Sequence, residues 1–424
     1  MKKLVLSALI ASSLVFTGCF KDDDTPIIIE ETTIINNNDG GGNGEDCPTV
    51  SVTGAIIENT TWTNDNIYQL NQKVVVDNGA TLTIEAGTII KGTPGTGSLA
   101  SALIIARGSK INAVGTATSP IIFTSTSDNI ACGETAGTNL DENDRGLWGG
   151  LLVLGNAPCS FSGDITEAQI EGIPADDTFG LYGGTDAADN SGVLSYISIR
   201  HGGALIGEGN EINGLTLGGV GTGTIINNIE VVANVDDGIE FFGGTVDASN
   251  LLVWAQGDDA LDIDQAYSGT ISNAVVVLGD FSDHAFEIDG PEGSATGSFT
   301  LLNATIIGNT VTENGEYADY RSGATGTTNN VYAYGFKASS DVELDNDGVA
   351  TNYNNGDLIF GTWEIVLPSG VTDVNSIFVN KAETVTVTGF GSTASAVTQG
   401  SNTVGATTSE LAWTYSNTAG GLGF

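Results

Sequence analysis

The chain has 424 residues, with 12 Lys+Arg against 52 Asp+Glu for a formal net charge of −40, and 59 glycines beside 8 prolines and one methionine. A surface this acidic repels phosphate backbones and anionic lipid headgroups, which excludes nucleic acid as a partner and membrane attachment by charge, while it attracts divalent cations. The 4 cysteines have no zinc-site spacing. At the N-terminus Lys2 and Lys3 precede an apolar stretch from Leu4 to Phe16, then Thr17, Gly18 and Cys19. That stretch has the size of a secretory leader core and is too short for a permanent membrane span.

The run Phe16-Thr17-Gly18-Cys19 resembles the lipobox of bacterial lipoproteins, although Phe16 stands where Leu is usual. The resemblance implies a leader over residues 1–18, and diacylglycerol and acyl lipid on Cys19. Cys19-Phe20-Lys21-Asp22-Asp23-Asp24 resembles the surface-export signal of Bacteroidota lipoproteins, which implies display on the outer face of the outer membrane; a periplasmic lipoprotein with a solvated acidic spacer is the other reading. Without Lys2 and Lys3 the balance is 10 basic against 52 acidic residues, a charge of about −42. Residues 19–46, rich in Asn, Gly and Asp, read as a flexible tether. Of the remaining cysteines, at most one disulfide forms, and Cys132 with Cys159 is the expected pair; spacing alone leaves the pairing open.

From residue 47 onward the glycine-rich body reads as short strands separated by turns. GATLTIEAGTIIKG, ALIIARGSKINAVG and SPIIFTS resemble coils of right-handed parallel β-helices of the pectate-lyase-like superfamily. Independently of that likeness, Asn228, Asn250, Asn273, Asn303 and Asn330 each precede an apolar strand at steps of 22, 23, 30 and 27 residues, a coil-sized repeat. An Asn at one corner of every coil tolerates the αL backbone and can bond its side-chain amide to the Asn above and below. The fold expectation is all-β, a parallel β-helix over residues 47–367, with residues 368–424 as C-terminal coils and cap. A β-propeller would need longer, four-strand repeats.

A second strand follows each Asn. Strand side chains alternate between faces, so Ile239, Leu261, Phe286, Ala318 and Val342 point inward with Phe241, Ile263, Ile288, Tyr320 and Leu344. Glu240, Asp262, Glu287, Asp319 and Glu343 then form an outward column, flanked by Asp264, Asp289, Arg321 and Asp345. Coils lie about 4.8 Å apart, and carboxylates in file at that spacing repel one another. Calcium, which takes oxygen ligands in flexible geometry, is the expected occupant; the alternative is a solvated acidic face.

The region also resembles polygalacturonase-type hydrolases. Asp237 and Asp258-Asp259 stand 21 to 22 residues apart as that pattern wants, but Asp283-His284-Ala285 and Tyr320-Arg321-Ser322 stand where Gly-His-Gly and Arg-x-Lys should follow. Calcium-dependent pectate lyases, the other comparison, use a basic residue to take a proton, a part Arg321 could fill. Asp237, Asp258, Asp259, His284 and Arg321 are therefore the catalytic candidates, with Arg321 as a simple counter-ion the blander reading.

His201 reads as a turn histidine held by hydrogen bonds, and the five tryptophans as packing residues. The stretches GLWGGLLVLGNAP, NSGVLSYISIRHGGALIGEGNEINGLTLGGVGTGT and DDGIEFFGGT resemble a group of Bacteroidota surface lipoproteins, a likeness that carries location and fold but no activity. The leading function is a surface-anchored binding or structural module for glycans or proteins with calcium on its acidic face. The alternative is a lyase or hydrolase of acidic polysaccharide, for which a cleft walled by inserts 127–145 and 309–325 would speak.

Overall fold

A computed structural model describes residues 35–37, 47–174, 177–205, 212–312 and 314–424. The leader, Cys19 and the export-like residues Lys21 to Asp24 lie outside the described residues. Among the described residues twenty-six strands join in one sheet, in which every ladder is parallel except that of Ile35–Asn37 on Thr49–Ile56; Ala168–Gln169 and Leu181–Tyr182 form a separate antiparallel pair. The coils stack as a parallel β-helix, as the repeats predict. Within the expected tether, Ile35–Asn37 forms that one antiparallel strand, so the tether is not structureless throughout; its short β-prone run pairs with the free edge of the first coil.

Each coil contributes three strand segments. In the early coils two of them are separate, as in Lys110–Val114 and Ile121–Ser125, joined by the turn around Thr116 and Ser119. From Gly192–Arg200 to Gly326–Tyr334 they fuse into one long strand, the first of which pairs with both predecessors, before they part again as Leu358–Phe360 and Trp363–Ile365. The fused strand still has to bend, and the bend falls on Tyr196 (φ 52°) and then on the repeating Asn. Asn228, Asn250, Asn273, Asn303 and Asn330 all have φ between 55° and 60°, a region Asn enters at low cost. Asn250 Nδ2 donates to Asn228 Oδ1 at 3.3 Å, Asn273 to Asn250 at 2.7 Å and Asn330 to Asn303 at 2.9 Å.

The third segment is the acidic one: Leu215–Gly218, Ile239–Phe242, Leu261–Asp264, Phe286–Ile288, Ala318–Tyr320 and Val342–Leu344, paired in register. Its inward residues, from Ile239 and Phe241 to Val342 and Leu344, belong to one continuous buried core. Trp62, Trp148, Trp254 and Trp363 are buried and Trp413 half-buried, which leaves packing as their role.

The last stretch holds more than the expected coils and cap. Phe378–Asn380 and Ala394–Ala396 complete a final coil, and Phe390 meets Phe360 and Phe378 edge-on at 4.9 and 5.2 Å, closing the core. The chain then turns back along the outside of the helix. Thr403 Oγ1 donates to Glu364 at 2.7 Å, Ala406 N to Thr305 Oγ1 at 2.9 Å, Thr407 N to Asn273 Oδ1 at 2.5 Å and Ser416 N to Glu230 Oε1 at 2.7 Å, each bond to an earlier coil. Leu411 is fully buried against Val232, Leu252 and Val275, outward residues that would otherwise face water. This strap ties coils that a solenoid leaves coupled only to their neighbours.

The disulfide joins Cys47 to Cys132, with Cα atoms 6.0 Å apart, and Cys159 is free, so the expected Cys132–Cys159 pair is corrected. The reason is which face each loop covers. Insert 127–145 lies beside the first coils, where Lys91 Nζ holds the carbonyls of Asp128 and Ile130. Cys159 sits on the acidic face, its Sγ 3.3 Å from Phe242 O.

Candidate functional site

Through the acidic segments runs one outward column: Val75, Ile104, Leu152, Thr216, Glu240, Asp262, Glu287, Asp319, Glu343 and Val379. Its first three members are apolar and roofed by an excursion of residues 155–190, whose Phe161, Ile170, Ile173, Phe179 and Tyr182 pack on them. Thr216 marks the change, and five acids follow. The register places these five in file, but none stands on an open face: each is less than a tenth exposed, Asp262 at 8%. The column is a cleft floor. The excursion reaches its upstream end, where Asn213 Nδ2 bonds both Glu171 and Glu240.

Two further rows flank the column. The corner row contains Asp237, Asp259, His284, Glu316 and Asp341, linked by Asp259 N on Asp237 Oδ1 (2.9 Å) and His284 N on Asp259 Oδ1 (2.7 Å). Small residues, Gly238, Ala260 and Ala285, follow Asp237, Asp259 and His284; a Cβ on Gly238 would lie 2.7 Å from Ala260 O and 2.4 Å from Val253 Cγ1. Past the column come Asp264, Asp289, Arg321, Asp345 and Lys381, tied by backbone bonds from one coil to the next.

Oxygens of Asp237, Glu240 and Asp262 lie within 4.8 Å of one another, and Asp262 Oδ1 is buried with no hydrogen-bond partner. Burial first, and then Asp262, Asp237, Glu171 and Asp264, push Glu240 well above the ordinary carboxylate range. Burial and then Asp237, Asp264 and Glu287 do the same to Asp262, and burial with Asp259 and Asp236 to Asp237. The neighbours that act most on this trio are all carboxylates. Asp264 rises to about 7 through burial and Asp289, and Asp258 to about 6 through burial and Asp259.

One coil on, cations enter. His284 Nδ1 lies 2.8 Å from Asp259 Oδ1 and 3.9 Å from Glu287 Oε1. Burial lowers the imidazole's pKa, but the Asp259 hydrogen bond and charge outweigh it and lift it to about 10, so His284 is protonated at neutral pH. Arg321 Nη2 is 2.5 Å from both Glu287 and Asp289, and Lys381 pairs with Glu343. Burial, then Asp259, raise Glu287 to about 9 against the pull of Arg321 and His284; Asp319, mainly through burial, rises to about 6. Asp319 Oδ1 also lacks a hydrogen-bond partner, and Asp319, Glu343 and Asp345 bring oxygens within 4.8 Å.

The structure thus gathers the expected metal candidates Glu240, Asp262, Asp264, Glu287, Asp289, Asp319, Glu343 and Asp345 along one cleft, with the catalytic candidates Asp237, Asp258, Asp259, His284 and Arg321 at its corner and rim. Asp236, Glu171, Glu316, Asp341 and Lys381 also reach it and were not singled out from sequence. Glu316 stands three residues before Asp319, as Asp259 does before Asp262 and His284 before Glu287, a signal that extending the alignment to the corner row would have used; Asp341 stands one place off that repeat and Glu171 lies outside it. His201 is buried elsewhere, its Nδ1 2.7 Å from Asp144 O. The loops of inserts 127–145 and 309–325 do not supply the walls that would have spoken for the enzyme. Their loops turn to the neighbouring corner, where Thr312 Oγ1 donates to Ser282 O and Arg145 lies over Phe281.

What this arrangement can do is hold divalent cations between stacked carboxylates at its upstream end, and present acids, a protonated imidazole and a guanidinium to a bound chain downstream. The family model of the pectate-lyase like beta helix domain matches residues 54–418. No curated protein and no solved structure matches the chain.

Proposed function

The chain belongs to the pectate-lyase-like β-helix domain family, and from that premise we propose that it is a surface-anchored bacterial lipoprotein whose acidic cleft holds calcium and binds glycans. The observation that carries the cleft reading is the trio Asp237, Glu240 and Asp262, three buried carboxylates with an orphaned oxygen on Asp262. Buried like charges stand only when neutralised, by protons or by a cation. Calcium suits an all-oxygen set, and neighbouring carboxylates such as Asp264 would complete its shell. The membrane part of the proposal rests on Phe16-Thr17-Gly18-Cys19 and the acidic run after it. Among the described residues no helix is long and apolar enough to cross a membrane.

Calorimetric titration of metal-free protein with calcium tests the cleft. Binding is expected in the wild type and its loss in the Glu240→Gln, Asp262→Asn double variant; no heat in the wild type ends the calcium reading. For the anchor, Cys19→Ser should release the protein from membranes, and Lys21, Asp22 and Asp23 replaced together should hide it from protease added to whole cells.

The second reading is cleavage of acidic polysaccharide in the same cleft. It is favoured by one feature, the row of ion pairs that runs from Asp259 to His284 (2.8 Å), on to Glu287 (3.9 Å) and to Arg321 (2.5 Å) beside the carboxylate file. Turnover of polygalacturonate by wild type, abolished in Glu287→Gln, would establish it; a wild type that binds the polymer and leaves its length unchanged is a binding module.

A further inference from the structure

Each long strand from Gly192–Arg200 to Gly326–Tyr334 bends near its middle, and its two halves turn different surfaces outward. Past the bend, Val232, Leu252 and Val275 lie under the strap and its Leu411. Among the described residues the strap's bonds reach Asn273 at the corner and Thr305 and Glu230 beyond it, which leaves the first halves uncovered. There the register sets two outward rows. The first runs from Asn112 through Val193, Ile225, Thr270, Thr300 and Thr327 to Ile359. The second lies two places on, from Val114 and Ser195 to Asn329, and holds serine hydroxyls, asparagine amides and Leu302. In a chain of formal charge −40, Asp247 is the one charged side chain in these rows, and its Oδ1 already takes the Thr270 N–H at 2.8 Å. Ile225, Val114 and Ile359 stand 52, 51 and 49% exposed among the hydroxyls.

A surface that meets its own copy across a two-fold axis must be complementary to itself. The acidic faces of this protein fail that condition, since each carboxylate would meet its like. Rows of hydroxyls and amides satisfy it, because every such group both donates and accepts, and their aliphatic side chains match one another. The rows carry no aromatic ring on which a sugar would stack, and almost no charge to draw a charged partner. Their extent fits as well. Eight coils at about 4.8 Å, across a strand segment of about 16 Å, make a face of about 600 Å². Two copies would bury about 1,200 Å², the lower bound of a stable specific interface. Sheets packed face to face lie about 10 Å apart, and the acidic cleft occupies another side of the three-sided coil. Both clefts therefore stay open, with their charges separated by more than the Debye length of about 8 Å.

We infer that this uncharged face joins two copies of the chain back to back in a two-fold dimer that leaves both acidic clefts free. Sedimentation equilibrium of the full chain in a density-matched detergent tests it. A monomer–dimer equilibrium is expected at roughly micromolar concentration. It should tighten as salt rises from about 0.05 to about 0.5 M, because screening weakens the repulsion between the acidic bodies. Thr270→Glu and Thr300→Glu each set one new acid on both sides of the contact. Either should weaken the dimer about tenfold or more while leaving the melting temperature in place, and Thr300→Ser should keep the dimer. A wild type that stays monomeric at about 0.1 mM in the higher salt overturns the inference, as does a dimer that neither glutamate variant weakens. Trimers or open chains would overturn the two-fold contact. A monomeric wild type that sediments with crystalline cellulose or chitin, and loses that hold in Thr300→Glu, would give the face to a polymer surface instead. Since calcium enters none of these measurements, the dimer and the cleft proposal can each fail alone.

Discussion

The upstream and downstream halves of the acidic cleft carry the same column of carboxylates and resolve its repulsion differently. Around Glu287 and Glu343 the chain supplies its own cations: His284 on Asp259, Arg321 on Glu287 and Asp289, Lys381 on Glu343. Around Asp237, Glu240 and Asp262 the strongest neighbours are acids. A repeat stacked at strand spacing multiplies whatever sits on it. A fold of this kind can therefore keep an acid in every coil only where its charge is neutralised, by the chain's own cations at one end and by protons or the cation proposed above at the other.

The largest effect should come from the metal. Chelation of the wild type at neutral pH should lower its melting temperature by several degrees, and added calcium should restore it by mass action. In Glu240→Gln with Asp262→Asn the metal-free protein should melt above metal-free wild type and ignore calcium, since neutral amides of the same shape no longer repel. A wild type indifferent to both chelator and calcium would erase the contrast between the halves.

Next in size is the loss of a built-in cation. Arg321→Gln leaves Glu287 and Asp289 uncompensated, and should cost about 1–2 kcal/mol in denaturant unfolding, the usual buried-pair loss discounted for a half-exposed guanidinium. It should also enlarge the stabilisation by calcium, because the downstream half then resembles the upstream one. An unchanged calcium response would show that the pair does not substitute for metal.

Acidity should have a smaller, graded effect. Asp258 and Asp319 near 6, and Asp264 near 7, hold protons in the fold at a higher pH than in the unfolded chain. Their contribution is fully present below about pH 4, where both states are protonated, and is lost as pH rises through 6 to 7. Metal-free protein should accordingly lose melting temperature between about pH 4 and 7, and saturating calcium should flatten that slope. The smallest change belongs to Lys381→Gln: with the ammonium about half exposed, the cost should be under about 1 kcal/mol.

The inward and outward residues of the acidic strands were readable because alternation is a property of the extended backbone itself. Ile239, Leu261 and Phe286 could not face the core without turning Glu240, Asp262 and Glu287 away from it. The Asn corners were readable for a similar reason: a bend at a fixed place in each coil needs positive φ, and Asn228 to Asn330 repeat where that bend recurs. The helix Asp347–Asn355, capped by Asn346 and by Gly356 at φ 81°, is a short exception inside the strand pattern that the repeat did not announce.

Local chemistry along the chain therefore determined the coil, its corner and which acids share a file, since period two and the αL bend act within a few residues. Tertiary structure alone decided that the upstream end of that file is covered, because its cover comes from residues 155–190, a stretch with no repeat of its own. It decided that Cys47 and not Cys159 meets Cys132, that residues after 396 return as a strap onto Glu230, and that Arg145 stands beside Phe281. Each of these depends on where a loop lands after the coils have stacked, and landing is governed by shape and buried area across distant segments, which leave no period in the sequence to read.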